Sequence, residues 1–206
     1  MIYTIIYKLT TGQKRDFMLS IEKRHEKRRR IAKSTCDLFI EKGYMNITIS
    51  QIAKIAGIGK GTVYEYFKNK EDIIFELMAC LQEEYDSVLG QKLKEAITAK
   101  QKLIYLCDIF LSDDKTIQIQ RKIYKEFLSI YINEKTEEMV EYNNKMMKKY
   151  SLVLEDIFKE SIRRDEISTM SLSMIPSIFA TLQGFLILSE NKSQMIEYID
   201  NLFLLL

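Results

Sequence analysis

The 206-residue chain has little of the residue types on which most catalytic and metal sites depend. His25 is its single histidine, so neither a histidine-based metal site nor a Ser-His-Asp triad can be assembled. No glycine-rich phosphate loop is present. Cys36, Cys80 and Cys107 are widely spaced, match no disulfide or zinc pattern, and indicate free thiols in a reducing cytoplasm. We therefore expect no enzymatic activity, no bound metal and no cofactor.

Helix-breaking residues are also scarce, with one proline and seven glycines, whereas 47% of the residues are hydrophobic. This composition favours an all-α protein with enough apolar material for a core. The net charge is only +2, but it is unevenly distributed. Residues 1–70 hold 15 Lys/Arg and 6 Asp/Glu, net +9, and residues 71–206 hold 16 and 23, net −7. Such asymmetry is typical of a basic DNA-facing module attached to an acidic body.

Residues 47–71 predict two short helices joined by a tight turn. Thr48 and Gln51 have the spacing of a capping box, in which each side chain accepts a hydrogen bond from the other residue's backbone amide. Gly57 follows the first helix where a residue with positive φ is needed, and a second helix begins near Lys60. Two helices joined by a short glycine-containing turn form a helix-turn-helix, whose second helix enters the DNA major groove.

The stretch T-I-S-Q-I-A-K-I-A-G-I-G-K-G-T-V-Y-E-Y-F-K-N-K-E-D-I resembles the DNA-binding signature of the TetR (tetracycline-repressor-like) family. The resemblance implies a dimeric, all-helical transcription regulator, usually a repressor, with a variable ligand-binding domain. Two positions depart from the family pattern: Gly59 stands where Ser is frequent and Glu65 where His is frequent. Glu65 either accepts a hydrogen bond from a cytosine amino group or repels phosphate. By position, the resemblance assigns DNA contacts to Thr48, Lys60, Gly61, Thr62, Tyr64, Tyr66 and Lys70.

A first helix is predicted from about Ser20 to Lys42, ending at Gly43. Its first half carries the charge run K-R-H-E-K-R-R-R, for which two interpretations remain open. The run is either a solvated helix face or a phosphate-contacting segment that includes Arg28.

The N-terminal segment 1–17 differs in character, being apolar up to Leu9 and polar after it. It is too short for a membrane span and lacks the features of a signal peptide. Met18 would itself be a natural start, so we expect residues 1–17 to be dispensable. The predicted domains are then a helix-turn-helix DNA-binding domain over residues 18–68 and a helical ligand-binding and dimerisation domain over residues 69–206.

The second predicted domain begins with a helix from Asn69 to about Val88, which links it to the DNA-binding domain. About nine helices are expected in the whole chain. Those that follow the linking helix lie near residues 91–112, 116–132, 135–164, 171–189 and 192–205.

Aromatic and methionine residues are dense in this second domain. Any one of them is more often part of a core than of a pocket, but together they suit an adaptable apolar cavity with a few tyrosine hydroxyls. The candidate ligand-binding residues are Tyr105, Phe110, Tyr124, Phe127, Tyr131, Tyr142, Met146 and Phe179.

The segment 174–188 is apolar nearly all round, yet it is too short to cross a bilayer. Together with the apolar C-terminus it offers more apolar surface than one small domain can hide, which predicts a two-fold dimer interface. The candidate interface residues are Ile178, Leu182, Phe185 and Leu202.

These observations favour a cytoplasmic, homodimeric regulator that represses by binding an operator in double-stranded DNA and is released by a small-molecule effector. The expected partners are the operator, the effector and a second copy of the chain, with no membrane. Two alternatives remain: a ligand-independent regulator, and a helical ligand carrier or interaction protein whose DNA-binding helix is vestigial.

Overall fold

The computed structural model describes residues 11–188 and 191–205. All regular secondary structure in these residues is helical, which confirms the all-α prediction. Two short 3-10 helices cover Tyr44–Asn46 and Thr169–Met174. The α-helices are α1 (Thr11–Ser34), α2 (Cys36–Lys42), α3 (Ile49–Ile55), α4 (Lys60–Tyr66), α5 (Lys70–Glu95), α6 (Ala99–Leu106), α7 (Asp108–Leu111), α8 (Lys115–Glu134), α9 (Glu137–Arg163), α10 (Ile175–Leu188) and α11 (Lys192–Leu205).

The chain forms two compact units that divide after Cys80, within α5. The boundary expected between residues 68 and 69 separates a DNA-binding from a ligand-binding domain, and it stays a prediction. It lies just before α5, a helix that contributes residues to both compact units. No helix in the described part of the chain combines the length and the apolarity that a membrane crossing requires.

The first unit is built on an apolar core to which each of α1 to α5 contributes. Ile31 of α1, Phe39 of α2, Ile52 of α3 and Val63 of α4 are at most 2% exposed, and Ile73 of α5 is fully buried. Burial of a side chain of this size contributes about 1.5–3 kcal/mol. The sides of α1 and α2 that carry Ile31 and Phe39 therefore lie inside the protein.

The first predicted helix ends at Lys42, before Gly43, as expected, but its start and its continuity differ from the prediction. It starts at Thr11 rather than Ser20, and Thr35 divides it into α1 and α2. The buried Thr35 hydroxyl donates to the Ala32 carbonyl oxygen at 2.6 Å, a local hydrogen bond of the kind that bends helices. Of the segment predicted to be dispensable, residues 1–10 lie outside the described residues and residues 11–17 are helical.

The second unit contains the remainder of α5 and the helices α6 to α11. Its core joins the inner faces of α5, α6, α9, α10 and α11, with Leu103, Leu154, Phe158 and Ile199 fully buried. The 3-10 segment before α10 replaces the helix start predicted near residue 171. Pro176 lies in the first turn of α10, where its missing amide costs nothing.

The predicted break near residues 88–91 was wrong, because α5 continues through Gly90 to Glu95. Glycine in a helix interior costs about 1 kcal/mol relative to alanine, which does not end a helix whose neighbours are packed in a core. The break falls at Thr98 instead, whose side chain accepts a hydrogen bond from the backbone amide of Gln101 and caps α6. The spacing of Thr98 and Gln101 repeats that of Thr48 and Gln51, so the signal was present in the sequence.

Candidate nucleic-acid interface

The turn between α3 and α4 has the geometry that the sequence predicts. The Thr48 side-chain oxygen accepts from the Gln51 backbone amide at 3.3 Å, and the Gln51 side-chain oxygen accepts from the Thr48 backbone amide at 2.8 Å. Gly57 has φ +65°, a conformation that costs glycine nothing and that other residues seldom adopt. The capping box and the turn glycine are thus confirmed.

Helix α4 has one buried face and one exposed face. Val63 is fully buried and Phe67, at the C-terminal cap, is 2% exposed, so these two side chains anchor the helix. On the other side Lys60 and Gly61 are exposed, and Tyr64 is 57% exposed. A large aromatic side chain with that exposure on a short helix, beside a cation at the helix start, is a surface suited to bases and phosphates.

The remaining residues to which the resemblance assigns DNA contacts lie near this face. Thr48 is exposed at the start of α3, and Thr62 is half-buried on α4. Tyr66 is also half-buried, and its ring lies 4.9 Å from the guanidinium carbon of Arg24. Arg24 also donates a hydrogen bond to the backbone oxygen of Glu65. Tyr66 therefore helps to fix α4 against α1.

The structure corrects the expectation for Arg28. Its Nε donates to Glu76 Oε2 at 2.5 Å and its Nη2 to Asp72 Oδ1 at 2.5 Å, while Nη1 donates to the Tyr66 backbone oxygen at 2.6 Å. The guanidinium also stacks on the Phe67 ring, 4.5 Å from its centroid. A guanidinium that is engaged in these contacts joins α1 to α5 and to the end of α4, and it is not directed at a phosphate.

Electrostatics agree with this structural role of Arg28. Burial by itself would lower the pKa of the guanidinium, but hydrogen bonds and charge from Asp72 and Glu76 outweigh that effect and raise the pKa above its ordinary value. The charge of Arg28 is thus retained and largely neutralised within the first unit.

Lys70 has a similar internal role, contrary to the expected phosphate contact. Its Nζ donates to the backbone oxygens of Tyr44 at 2.7 Å and Ile47 at 3.2 Å. The ammonium also lies 4.1 Å from the centroid of the Tyr44 ring. Lys70 therefore fixes the start of α5 to the segment that precedes α3.

Asp72 has a structural role at this site that the sequence does not reveal. Its backbone amide donates to the Asn69 side chain at 2.8 Å, so Asn69 caps α5, and its carboxylate accepts from the Lys68 backbone amide at 3.1 Å. The same carboxylate holds Arg28. No local sequence pattern reveals this role, because the partner Arg28 lies 44 residues away.

The candidate ligand-binding residues fall into two groups in the second unit. Phe127 is fully buried, and its ring centroid lies 6.1 Å from that of Tyr124, 5.9 Å from Tyr131 and 5.5 Å from Tyr142. The other group belongs to the main apolar core, where Phe179 is 9% exposed and Tyr105 and Phe110 pack against its buried members. Met146, one turn after Tyr142 on α9, is half-buried.

Two surface cavities in the second unit contain none of these candidates. One, of about 520 Å³, lies along the start of α9, and the other, of about 300 Å³, lies beside α8. Charged residues predominate among their lining residues, and neither is the aromatic and methionine-lined cavity expected from the sequence.

The predicted dimer residues are mostly interior residues of a single chain. Ile178 is 1% exposed, and Leu182 and Leu202 are 3% exposed. Phe185 is half-buried, with its ring centroid 5.8 Å from that of Tyr198 on α11. The prediction failed for the three buried residues because α10 is apolar on all sides, and sequence alone does not show which side faces the core.

The geometry defines a class of protein: a helical DNA-binding regulator with an exposed recognition helix and a separate helical unit. Residues 31–77 match the family model described as bacterial regulatory proteins, tetR family. The helix-turn-helix part of the chain is therefore that of a TetR-family transcriptional regulator.

A curated relative and two solved structures show the extent of this similarity. The fatty acid metabolism regulator protein of Bacillus subtilis is 29% identical over 150 residues, 71% of this chain and 74% of the relative. The crystal structure of FadR from Bacillus subtilis in complex with stearoyl-CoA has a TM-score of 0.58 at 23% identity, and the match covers 85% of this chain and 95% of that one. A regulator from Saccharomonospora viridis in complex with choline has a TM-score of 0.71 at 16% identity, and the match covers 85% and 94%. These proteins are regulators rather than enzymes, as expected for this chain.

Proposed function

We propose that the protein is a cytoplasmic, dimeric repressor that binds a two-fold operator through α4 and is released when a small molecule binds its second unit. The proposal rests on one observation: α4 has one buried face and one exposed face. Val63 and Phe67 anchor the helix in the core of the first unit. Lys60 and Tyr64 are exposed and lie toward the N-terminal end of the helix. That is the half of a recognition helix that contacts base edges.

Five residues are proposed to contact DNA directly. Lys60 supplies charge for phosphate, and Tyr64 and Thr62 supply side chains for base edges or nearby backbone. A Cβ placed on Gly61 would meet nothing within 4 Å, so its glycine is not required by packing within the protein. We therefore assign Gly61 to close approach of the DNA backbone, and Thr48 to a contact at the start of α3.

A two-fold dimer is needed to place two recognition helices about 34–36 Å apart on one face of the duplex. The exposed side of α10 supports such a contact because it is lined by small residues, with Ser177 and Ala180 exposed and Gly184 half-buried. Ile187 is 51% exposed at the end of the same helix, and Ile196 of α11 is 46% exposed. Small residues let helices of two chains approach closely, and the two isoleucines supply apolar area to bury.

Effector release requires that the ligand favour the arrangement that does not bind DNA. Helix α5 is suited to carry that preference because it is continuous from residue 70 to residue 95. Its first turns hold Arg28 through Asp72 and Glu76, and Arg28 in turn holds the C-terminal end of α4. A tilt of α5 would therefore move the recognition helix with it.

The test is binding of the full chain to the DNA upstream of its own gene, measured by fluorescence anisotropy at several salt concentrations. We expect a specific complex at least about a hundredfold tighter than that with a scrambled duplex of equal length, and a two-fold footprint. Equal affinity for both duplexes would contradict the proposal and favour the ligand-carrier alternative.

A further inference from the structure

Glu65 lies at the centre of the exposed face of α4. By helical geometry it is about 160° around the helix axis from each of the two anchors, Val63 and Phe67, so its position is opposite the core. Tyr64 lies on the flank of the same face, about 80° from the midpoint between the anchors. The most outward-facing residue of α4 that has a long side chain is therefore an acid.

The backbone of Glu65 is fixed, whereas its side chain is not engaged. Arg24 of α1 donates a hydrogen bond to the Glu65 backbone oxygen, and its guanidinium carbon lies 4.9 Å from the centroid of the Tyr66 ring. The Glu65 side chain is exposed, and its carboxylate forms no hydrogen bond or ion pair within the described part of the chain. An acceptor group carried on a turn that is held in this way is suited to a directional contact with a partner.

Gly61 lies one turn before Glu65 on the same stripe of α4. It has no side chain, and a Cβ at this position would meet nothing within 4 Å, so the stripe is open to a duplex up to Glu65. Side chains of an α-helix lean toward its N-terminus, which favours reach of Glu65 toward the half of α4 that meets base edges.

The chemistry of a carboxylate restricts what it can bind in the major groove. Because a carboxylate only accepts hydrogen bonds, its partners there are the amino groups at N4 of cytosine and N6 of adenine. The adenine amino group lies between two acceptors, N7 of its own ring and O4 of the paired thymine, and both repel a carboxylate. The cytosine amino group has an acceptor on one side only, O6 of the paired guanine. Cytosine is therefore the base that fits Glu65 best.

We propose that Glu65 is a specificity-determining residue, which accepts a hydrogen bond from the N4 amino group of one cytosine in each half of the operator. The same negative charge opposes binding to phosphate in every sequence, and only a duplex with cytosine at this position offers the hydrogen bond that offsets it. The inference rests on the DNA binding through α4 proposed above and adds to it a named base contact.

The test begins with selection of duplexes from a random library by the full wild-type chain, followed by sequencing of the bound fraction. We expect a two-fold site that contains cytosine at one position in each half. Competition anisotropy with the other three bases at that position should show about tenfold weaker binding for each.

Variants identify the position that Glu65 contacts. Glu65→Gln keeps the shape of the side chain, and because an amide can bind adenine N6 and N7 together, the preference should move from cytosine to adenine. With Glu65→Ala the four bases should bind within about twofold of one another at that position. Glu41→Gln, which changes an exposed glutamate on α2, is the matched control and should select the wild-type sequence. Circular dichroism checks that each variant is folded.

The amino group itself is tested with N4-methylcytosine, which still pairs with guanine but places a methyl group where the outward N–H would be. At the selected position this base should weaken binding of the wild-type chain about tenfold and that of Glu65→Ala less than twofold. If one of the two Glu65 variants does not fold, the other variant and the modified base still decide the matter.

The inference is overturned if both Glu65 variants select the wild-type sequence. That includes the case in which both bind every duplex more tightly, because a uniform gain means that the carboxylate only repels phosphate. Adenine at the position that depends on Glu65, or unchanged binding to N4-methylcytosine, would also overturn it. A wild-type chain that enriches no sequence refutes the proposed operator binding and this contact with it. A two-fold site with no position that depends on Glu65 refutes this inference alone.

Discussion

The two units hold their central ion pairs in different ways. In the first, the Arg28 side chain is 26% exposed and is shared by the carboxylates of Asp72 and Glu76, which are 26% and 11% exposed. In the second, the Lys149 side chain is 51% exposed and is paired with Asp86. The first pair fixes the C-terminal end of α4 through the Tyr66 carbonyl, and the second joins α5 to α9, where the Asp86 carboxylate also accepts from the Tyr150 hydroxyl. Because Arg28 is more enclosed than Lys149, loss of its pair is expected to cost more stability.

The largest expected effect tests which residues of α10 are interior. Leu182→Asp places an unpaired charge at a position that is 3% exposed in a single chain, so we expect loss of about 4 kcal/mol or more of unfolding free energy. Chemical denaturation followed by circular dichroism measures this.

Ile187→Asp is the matched variant at an exposed position of the same helix. Its chain should stay folded and sediment as a monomer, because the charge would be buried only in the dimer. A folded, monomeric Leu182→Asp protein would show that Leu182 belongs to the interface after all.

Arg28→Met should have the next largest effect, because it leaves Asp72 and Glu76 without their shared cation. Loss of a half-buried pair with several hydrogen bonds should cost about 2–4 kcal/mol of stability. Arg30→Met, at an exposed position in the same charge run, should cost less than about 0.5 kcal/mol.

Salt dependence separates the structural role of Arg28 from a phosphate contact. If Arg28 is structural, the folded fraction of Arg28→Met should bind operator with an unchanged salt slope. A slope that falls by about one unit would return Arg28 to the DNA interface.

The sequence predicted the first unit well where the signals are local. Thr48, Gln51 and Gly57 lie within ten residues of one another, and each has a backbone requirement that its residue type reveals. The roles of Arg28 and Lys70 were missed because their partners are distant in sequence: Arg28 binds Asp72 44 residues away, and Lys70 binds the Tyr44 carbonyl 26 residues away. Basic side chains that brace a fold look the same in sequence as those that bind phosphate.

In the second unit, composition predicted the kind of environment but not its arrangement. The aromatic residues around Phe127 do lie together, yet the polar residues beside them, Asp86, Asn143 and Gln183, were not selected. No periodicity distinguishes a carboxylate that accepts from a tyrosine and a glutamine from one that faces water. The face of α10 toward the core was likewise undetermined, because apolar residues occupy every side of it.

Operator recognition should depend on the exposed face of α4 and not on its anchors. Tyr64→Ala and Thr62→Ala should each weaken operator binding by about 1–3 kcal/mol while leaving the unfolding free energy nearly unchanged. Tyr198→Ala, in the second unit, is the control for loss of a half-exposed tyrosine and should leave the intrinsic DNA affinity of the folded dimer unaltered. Unchanged operator affinity in both α4 variants would show that another face of the helix meets the DNA.

Lys60 should act on phosphate and therefore without regard to sequence. Lys60→Ala should weaken operator and random DNA by similar factors, about tenfold at low salt, and reduce the salt slope by about one unit. Competition anisotropy with both duplexes measures the two factors together. If Lys60→Ala lost operator binding but kept its affinity for random DNA, Lys60 would instead contact base edges.

The smallest expected effect contrasts a glycine that the first unit requires with one that the second does not. Gly57 has φ +65°, so Gly57→Ala forces an unfavourable backbone conformation and should destabilise the protein by about 1–2 kcal/mol. Gly90 lies inside α5, where a Cβ would meet nothing within 4 Å. Gly90→Ala should stabilise the protein by about 0.5–1 kcal/mol, since alanine loses less conformational entropy on entering a helix. Equilibrium denaturation in urea measures both. The opposite result, a destabilised protein or altered effector release in Gly90→Ala, would show that α5 bends at Gly90. The helix break predicted near this residue would then mark a hinge that the regulator uses.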